Sequence, residues 1–412
     1  MSVGNASKKT FNAGKAWAVF LVIFLAGLAL SWSANKFMPI LTFVQADLNV
    51  SAQVAGWISS LFNVMGIILA FPAVGIIRKF GYRITGISAL LFCLIGGIIG
   101  FFAPNEIILL LSRVIEGFGI GLIAVMAPAL TSAWFPVDKR SAPMGIWSTW
   151  QAVVVACVFL FTGDILGPDV AWKNMVLIGI VIAAVALVAF IAVVRTPAPE
   201  NDFGEIQEEQ VSILEVFKNP NSWFITLLFF AFGIACMALV AWISVFWGQT
   251  VGWDTLESNH LIGIMYAGEI VTCAVAGFAI TKLKTMKTRK WFIVIFSLVY
   301  SLCFFALYHA VDPGLIYVIC IIYVITEGVF CAGMWYFASI IPASPSLSAP
   351  TMAMVAIGQN LGMMFGAPIA GAILDATAMS GWNILAIMVT ACMLVATLCM
   401  ALLKLKNVDM SD

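Results

Sequence analysis

The stretch "LSRVIEGFGIG", residues 111–121, places two ionisable side chains inside an otherwise apolar run. Arg113 and Glu116 are three positions apart, so they face the same side of a helix. Only 10% of the 412 residues are charged and 63% are hydrophobic, whereas a soluble protein carries about 25% charged residues. The solvent around this stretch is therefore a lipid bilayer, and the charged pair is predicted to lie within a membrane-spanning helix.

Apolar runs of about 20 residues are long enough to cross a bilayer as a helix, and twelve of them occur along the chain. The sequence thus predicts an all-α integral membrane protein with twelve transmembrane helices. The first run continues as a full span without an A-x-A-like cleavage site, so no cleavable signal peptide is expected. All nine cysteines fall within the spans, where they are interpreted as small apolar side chains rather than disulfides or metal ligands.

The basic residues predict the orientation. Of the 20 lysines and arginines, 17 fall on alternate connecting segments: Lys8, Lys9, Lys15, Arg78, Lys79, Arg83, Lys139, Arg140, Arg195, Lys218, Lys282, Lys284, Lys287, Arg289, Lys290, Lys404 and Lys406. The exceptions are Lys36, Arg113 and Lys173. Because cytoplasmic loops are enriched in lysine and arginine, both termini are predicted to be cytoplasmic, in a multi-pass protein of the plasma (inner) membrane.

Three short matches indicate an internal duplication. "VIEGFGIG" at 114–121 resembles "ITEGVFCAG" at 325–333, "SAP" occurs at 141–143 and 348–350, and "AWKNM" at 171–175 resembles "GWNIL" at 381–385. The offsets are 211, 207 and 210 residues, and the first superimposes Glu116 on Glu327. We expect a six-helix half over 1–195, a cytoplasmic loop over 196–219 and a second half over 220–412. Parallel halves with a binding site between them are a known transporter design.

Two motifs strengthen this interpretation, and with them the chain resembles the major facilitator superfamily over essentially its whole length. In that family the loop after the second span reads roughly G-x-L-x-D-R-x-G-R. Here "GIIRKFGYR" supplies Gly75, Lys79, Gly81 and Arg83, while Arg78 stands in place of the acid and the first glycine is one position closer. The fourth-span pattern R-x-x-Q/E-G-x-G is matched by Arg113, Glu116, Gly117 and Gly119. The resemblance implies a secondary transporter that works by alternating access, with residues 75–83 as a gating loop.

Three acids and one arginine are candidates for the chemistry. An ionisable side chain at mid-bilayer costs roughly 2.5–3.5 kcal/mol on insertion scales, so it should face the protein interior. Arg113 is predicted to attract an anion and Glu116 to hold or release a proton; the alternative is a structural ion pair. Glu269 and Glu327 have no basic residue in their own spans, and burial penalises their charged form. They are predicted to couple transport to protons, the alternative being permanently protonated structural acids.

Further residues could complete a binding site. Lys36 is a candidate second cation for an anion, or a lysine that extends towards the membrane interface. The remaining substrate-binding candidates are polar or aromatic residues within spans, which are alternatively helix-packing residues: Asn63, Trp150, Gln151, Tyr336, Gln359 and Asn360.

The sequence as a whole predicts proton-coupled uptake of a small organic anion such as a carboxylate. A glycine–proline signature in the fifth span, typical of drug/proton antiporters, is missing, which favours uptake over efflux. Proton-driven efflux of a hydrophobic or cationic compound, or a non-transporting nutrient sensor, are the alternatives. No phosphate-binding glycine loop and no nucleophile–base pair occur, so neither an enzyme nor a cofactor is expected. The expected partners are a small-molecule substrate, protons and lipid, without nucleic acid, for a protein that acts as a monomer.

Overall fold

The computed structural model describes residues 11–136, 139–169, 171–195, 213–341 and 348–404. Helices account for nearly all of this chain, in the order α1 (Ala13–Asn35), α2 (Leu41–Leu48), α3 (Ala52–Ser60), α4 (Asn63–Ile68), α5 (Pro72–Phe101), α6 (Glu106–Trp134), α7 (Ser141–Ser148), α8 (Trp150–Leu160), α9 (Thr162–Leu166), α10 (Lys173–Val193), α11 (Ile213–Lys218), α12 (Pro220–Thr250), α13 (Thr255–Lys282), α14 (Met286–Leu307), α15 (Pro313–Ile340), α16 (Ser348–Ala376) and α17 (Trp382–Leu402). Both chain termini, with Lys8, Lys9 and Lys406, and residues 196–212 of the predicted central loop lie outside the described residues.

Eleven helices in these ranges are long and apolar enough to cross a membrane, when α7 and α8 are counted together as Ser141–Leu160. The remaining predicted span, which is the second along the chain, is interrupted. The chain between Ala52 and Pro72 is divided into α3, α4 and the start of α5. Pro72 occupies the first turn of α5, where its missing N–H is tolerated because the first N–H groups of a helix have no acceptor within the helix. The second predicted span is therefore present as a broken helix within the all-helical fold that the sequence predicts.

The segment predicted as a gating loop is also largely helical. Gly75, Arg78 and Lys79 lie within the first part of α5, and the helical backbone is broken only at Gly81, with φ 77° and ψ 165°. An L-residue with a side chain rarely adopts this conformation, so glycine is needed there. The Arg83 guanidinium, just after the break, donates to the carbonyl of Ile191 at 3.0 Å. The chain thus changes direction at one glycine instead of through a loop.

Helices α1–α10, the N-terminal set, meet helices α12–α17, the C-terminal set, along two seams. The broken helices α3 and α4 pack on α16, and α8 packs on α13. A Cβ atom on Gly56 would lie 2.7 Å from the Ala367 carbonyl, and one on Gly263 would lie 2.6 Å from Leu160 Cγ. Small residues therefore let the two sets approach to backbone distance, as is common between membrane helices.

Hydrogen bonds between the two sets concentrate towards one end of the bundle. Asn259 Nδ2 donates to the carbonyl of Pro39 at 2.7 Å, and nearer the middle Ser60 Oγ donates to the carbonyl of Met364 at 2.8 Å. We call the end that carries Pro39 and Asn259 the closed end.

Candidate functional site

The pair from the opening stretch lies in a buried cluster of three charges. Arg113 and Glu116 are one turn apart on α6, and Lys36 follows the last residue of α1. Lys36 Nζ donates to one carboxylate oxygen of Glu116, and Arg113 Nη1 donates to the other. All three side chains are at most 2% exposed. The possibility that Lys36 extends to the membrane interface is therefore wrong: two cations face one carboxylate inside the N-terminal set.

The Arg113 guanidinium also joins three helices. Its Nε donates to the carbonyl of Ile58 at 3.0 Å, while Nη1 and Nη2 each donate at 2.7 Å, to the carbonyls of Ser33 and Ala34. Its planar face lies within 5.1 Å of two ring centroids, those of Phe37 and Phe62. Together with the bond to Glu116, four of its five N–H bonds donate to an acceptor. The orientation of the guanidinium is therefore fixed by α1, α3 and α6 together.

Glycines of α5 make room for the carboxylate. A Cβ atom on Gly96 would lie 2.6 Å from Glu116 Cγ, and one on Gly97 would lie 3.6 Å from Glu116 Oε1. A larger residue at Gly96 would push α5 away from α6, because a Cβ atom there would be closer to Glu116 than van der Waals contact allows. The two consecutive glycines Gly96 and Gly97 in the third span are the sequence signal for this close approach.

The second cluster surrounds Glu327 on α15 and contains tyrosines that the sequence analysis did not select. Tyr300 on α14 donates its hydroxyl proton to Glu327 Oε1 at 2.8 Å. The hydroxyl oxygens of Tyr300 and Tyr323 are 3.0 Å apart, and since Tyr300 has only one proton, Tyr323 is the donor of that bond. Cys236 Sγ lies 3.9 Å from the Tyr300 hydroxyl. The named partners of Glu327 are therefore neutral hydroxyl groups, unlike those of Glu116.

Glu269 on α13 lies near the same cluster. Its carboxyl contacts Cys331, and it interacts electrostatically with Glu327. Thr272 Oγ1, one turn further along α13, donates to the carbonyl of Val324 on α15 at 2.9 Å and holds the two helices together. The structure thus brings two of the three predicted acids together in the C-terminal set.

Most of the other predicted residues have local partners in the described structure. Asn63 Nδ2 donates to the carbonyl of Ser60 at 2.9 Å, and the ring of Trp150 stacks on Trp147 at a centroid distance of 5.0 Å. The Tyr336 hydroxyl accepts a hydrogen bond from Arg289 at 2.8 Å. These contacts favour the packing alternative for Asn63, Trp150 and Tyr336 in this conformation.

The predicted polar residues of α16 and α8 lie nearer to the seam between the two sets or to the surface. Asn360 Nδ2 donates to the carbonyl of Ala356 at 2.7 Å, and its side chain packs against Gly66 of the N-terminal set. Gln359, its neighbour, is half-buried, and Gln151 on α8 is exposed. Asn360 therefore lies at the seam between the two sets, where it contacts both.

Comparison with known proteins identifies the architecture. A family model described as the Major Facilitator Superfamily matches residues 19–350, most of the chain. The chain belongs to the major facilitator superfamily. As a member of the major facilitator superfamily, it is a multi-pass membrane protein.

Curated relatives in the major facilitator superfamily are distant. The uncharacterized MFS-type transporter YcnB of Bacillus subtilis (strain 168) is 30% identical over 140 residues, which are 34% of this chain and 29% of YcnB. The chain spans about a third of the length of YcnB and of two further relatives that it matches. The hexuronate transporter of the same organism is 22% identical over 299 residues, 70% of each protein.

Solved structures agree with the fold of the major facilitator superfamily. A crystal structure of a D-xylose-proton symporter aligns with a TM-score of 0.77 at 17% identity, covering 95% of this chain and 98% of that one. At this identity the likeness establishes the architecture of the helices and leaves the cargo to be inferred from the site.

Proposed function

We propose that this transporter carries a small organic anion together with protons by alternating access. The observation that carries the proposal is the cluster of Lys36, Glu116 and Arg113, in which two buried cations share one carboxylate. A buried charge is costly unless it is paired. An anionic substrate complements the excess positive charge, provided that the cluster becomes accessible when the two sets of helices rearrange.

The protons are assigned to the other cluster. Protonation of Glu116 would weaken its pairing with two cations, whereas Glu327 can gain a proton while it keeps a hydrogen bond to the Tyr300 hydroxyl. Glu269 lies close enough to interact with Glu327, so the two acids form one proton-binding unit in the C-terminal set. Substrate and proton sites then lie in different halves of the protein and are coupled through its conformation.

Two of the similar proteins support the proposed substrate class and the proposed proton coupling. A hexuronate is a sugar carboxylate, and the hexuronate transporter aligns over 70% of the chain. The xylose transporter that shares the fold is named as a proton symporter. We therefore take a hexuronate-like carboxylate as the first substrate class to test.

The proposed orientation follows from the basic residues. The enrichment of lysines and arginines on alternate connecting segments supports a topology with both termini inside the cell and with the closed end, at Pro39 and Asn259, on the outside of the plasma membrane. The described conformation is then inward-facing, because the named contacts between the two sets lie from mid-membrane to the outer end. Alternating access requires these contacts to break when the substrate enters from outside.

Transport in proteoliposomes tests the proposal. With the outside acidified, we expect accumulation of radiolabelled glucuronate that collapses when a protonophore is added, and no accumulation of the neutral sugar xylose. Tetraphenylphosphonium serves as the cationic probe. If an imposed proton gradient drives its expulsion while glucuronate does not move, the proposal fails and efflux of cations is the function.

A charge variant tests the observation on which the proposal rests. Lys36→Met leaves Arg113 paired one-to-one with Glu116, and should weaken glucuronate binding about tenfold or more because the excess positive charge is lost. Lys173→Met is the matched control, since Lys173 lies at the start of α10 beside Trp172 and outside the cluster. Unchanged binding by a folded Lys36→Met protein would contradict the anion site.

A further inference from the structure

Two arginines, Arg83 and Arg195, converge on one carbonyl oxygen at the end opposite the closed end. Arg83 on α5 donates from Nη2 to the carbonyl of Ile191 at 3.0 Å, and Arg195, two residues after the end of α10, donates from Nη1 to the same oxygen at 2.8 Å. Ile191 lies in the last turn of α10, whose carbonyl groups have no donor within the helix and attract cations. That attraction explains one cation, but a second cation beside it is repelled by the first. We call Arg83 and Arg195 the arginine pair.

The described part of the chain offers the arginine pair no negative partner. The ion pairs among the described residues are those of Glu116 with Lys36 and Arg113. Arg83 Nε is in addition buried without a hydrogen-bond acceptor among these residues. The sequence gives a reason for the missing carboxylate, since Arg78 stands where the family motif has an acid. The pair therefore keeps two positive charges and N–H donors that an added anion can satisfy.

The arginine pair lies at the level of lipid headgroups. Helix α10 has 21 residues, a length of about 32 Å at 1.5 Å per residue, which matches the hydrocarbon core of a bilayer. Arg195 follows this helix and so lies at the membrane boundary. Along α10, exposed apolar side chains recur at helical spacing and form one face, at Val181, Val185, Val188 and Ile191. This face leads along the hydrocarbon core to the arginine pair.

The spacing of α5 and α10 is fixed beside the arginine pair. A Cβ atom on Gly86, one turn after Arg83, would collide with the ring of Phe190, the residue before Ile191. The two helices are therefore in close contact where the guanidinium groups meet. Because both helices belong to the N-terminal set, the pair is held together before any ligand arrives, and such preorganisation lowers the cost of binding.

We propose that the arginine pair binds the phosphate group of an anionic phospholipid, such as phosphatidylglycerol. Phosphate oxygens accept hydrogen bonds from both guanidinium groups and supply the negative charge that the described chain lacks there. The acyl chains lie along the exposed apolar face of α10. A zwitterionic lipid fits less well, because its own cation is repelled by the pair. The site does not depend on the proposed cargo, and the proposed orientation puts it in the inner leaflet.

Native mass spectrometry of the purified full-length protein tests this site without any substrate. Phosphatidylglycerol and phosphatidylcholine with the same acyl chains are added in detergent, and the dissociation constant of each lipid is measured. We expect phosphatidylglycerol to bind wild type about tenfold more tightly than phosphatidylcholine. Arg83→Gln and Arg195→Gln should each weaken phosphatidylglycerol binding about five- to tenfold and leave phosphatidylcholine binding unchanged. If one phosphate contacts both guanidinium groups, the double variant should lose less than the product of the two single effects.

Two further variants separate a lipid site from general charge and from helix capping. Lys284→Gln is the matched control, because it removes an exposed cation after α13, in the C-terminal set. Arg195→Lys keeps the charge but loses the planar fork, so it should bind phosphatidylglycerol with intermediate affinity. Arg195 is exposed and lies beyond the end of α10, so we expect its variants to fold, and their retained phosphatidylcholine binding verifies this.

Three results would overturn the site. If Arg195→Gln lowers the melting temperature but keeps the preference for phosphatidylglycerol, the pair only caps α10. If Lys284→Gln weakens phosphatidylglycerol binding as much as Arg195→Gln does, the attraction is diffuse. If wild type shows no preference between the two lipids, the pair is neutralised within the chain. Acidic residues for that purpose occur in segment 196–212, which lies outside the described residues.

Discussion

Asp375 at the end of α16 caps the first turn of α3 from across the transporter. Its carboxylate accepts hydrogen bonds from the backbone N–H of Ala52 at 2.9 Å and from that of Gln53 at 2.8 Å. The first N–H groups of a helix have no acceptor within the helix and carry its positive dipole end, so a carboxylate is favoured there. Because Asp375 and Ala52 belong to different sets, we expect this bond to break when the closed end opens.

Neutralising Asp375 should shift the conformational equilibrium. An asparagine keeps one acceptor oxygen and loses the charge, so Asp375→Asn should raise the population that is open at this end about two- to fivefold, corresponding to ~0.5–1 kcal/mol. Double electron–electron resonance between spin labels on Asp169 and Glu257, exposed residues of the two sets near this end, measures the population. Asp312→Asn is the control, since Asp312 caps its own helix α15. An equal shift in both variants would contradict the role of Asp375 as an inter-set bond.

Glu116 should be essential for stability. Glu116→Gln leaves Lys36 and Arg113 buried without their counter-ion, and removing one partner of a buried pair costs about 3–5 kcal/mol. Thermal unfolding followed by tryptophan fluorescence should show a marked fall in Tm, which Lys36→Met in the same protein should partly restore. Glu257→Gln, an exposed acid in the first turn of α13, should change Tm little. If the changes in Tm caused by Glu116→Gln and Lys36→Met simply add in the double variant, the three-charge arrangement is contradicted.

Gly328 should not tolerate a side chain. A Cβ atom there would lie 2.5 Å from Thr272 Oγ1 and 2.6 Å from the Thr272 carbonyl carbon, so α13 and α15 would have to move apart. We expect Gly328→Ala to lower the free energy of unfolding by about 1–3 kcal/mol. Gly277→Ala, where a Cβ meets nothing within 4 Å, should be neutral or stabilising because alanine favours helix. Thermal melts of the two variants under the same conditions measure the difference. Equal melting temperatures would contradict the close packing of α13 on α15 at Gly328.

Glutamine variants of Glu269 and Glu327 separate proton coupling from structure. Glutamine resembles a protonated glutamate in shape but cannot release its proton. If either acid carries the coupling proton, its variant should exchange substrate between equal pools at near wild-type rate but fail to accumulate it against a gradient. Counterflow measures the exchange and pH-driven uptake measures the accumulation, in the same preparation. Glu106→Gln, at the start of α6, is the control. Two variants that accumulate substrate normally would refute the coupling role.

Topology is tested by labelling single cysteines. Asp254→Cys, between α12 and α13, should react with a membrane-impermeant maleimide added outside intact cells, because the proposed orientation puts this loop outside. Lys284→Cys, after α13, should react only when the reagent reaches the inside. Reaction of both positions from the same side would contradict the predicted orientation.

Local properties of the sequence were enough to predict the fold. Hydropathy identifies a spanning helix from about 20 consecutive residues, and helical spacing alone puts Arg113 next to Glu116. The repeated "EG" steps at Glu116 and Glu327 likewise predicted equivalent acids on α6 and α15. These signals depend on residues close together in the chain, so they do not require knowledge of how the helices pack.

The tertiary structure decided what each charged group touches. Lys36 and Glu116 are 80 positions apart, and Asp375 and Ala52 are 323 positions apart. Hydropathy makes Lys36 equally compatible with the interface and the interior; it is buried because α1 and α6 pack closely. The interruptions of the second span and the single-residue break at Gly81 were missed for a related reason. A bilayer sets how much apolar length is needed, but backbone breaks within that length depend on Pro72, on Gly81 and on the neighbouring helices that accept a non-helical backbone.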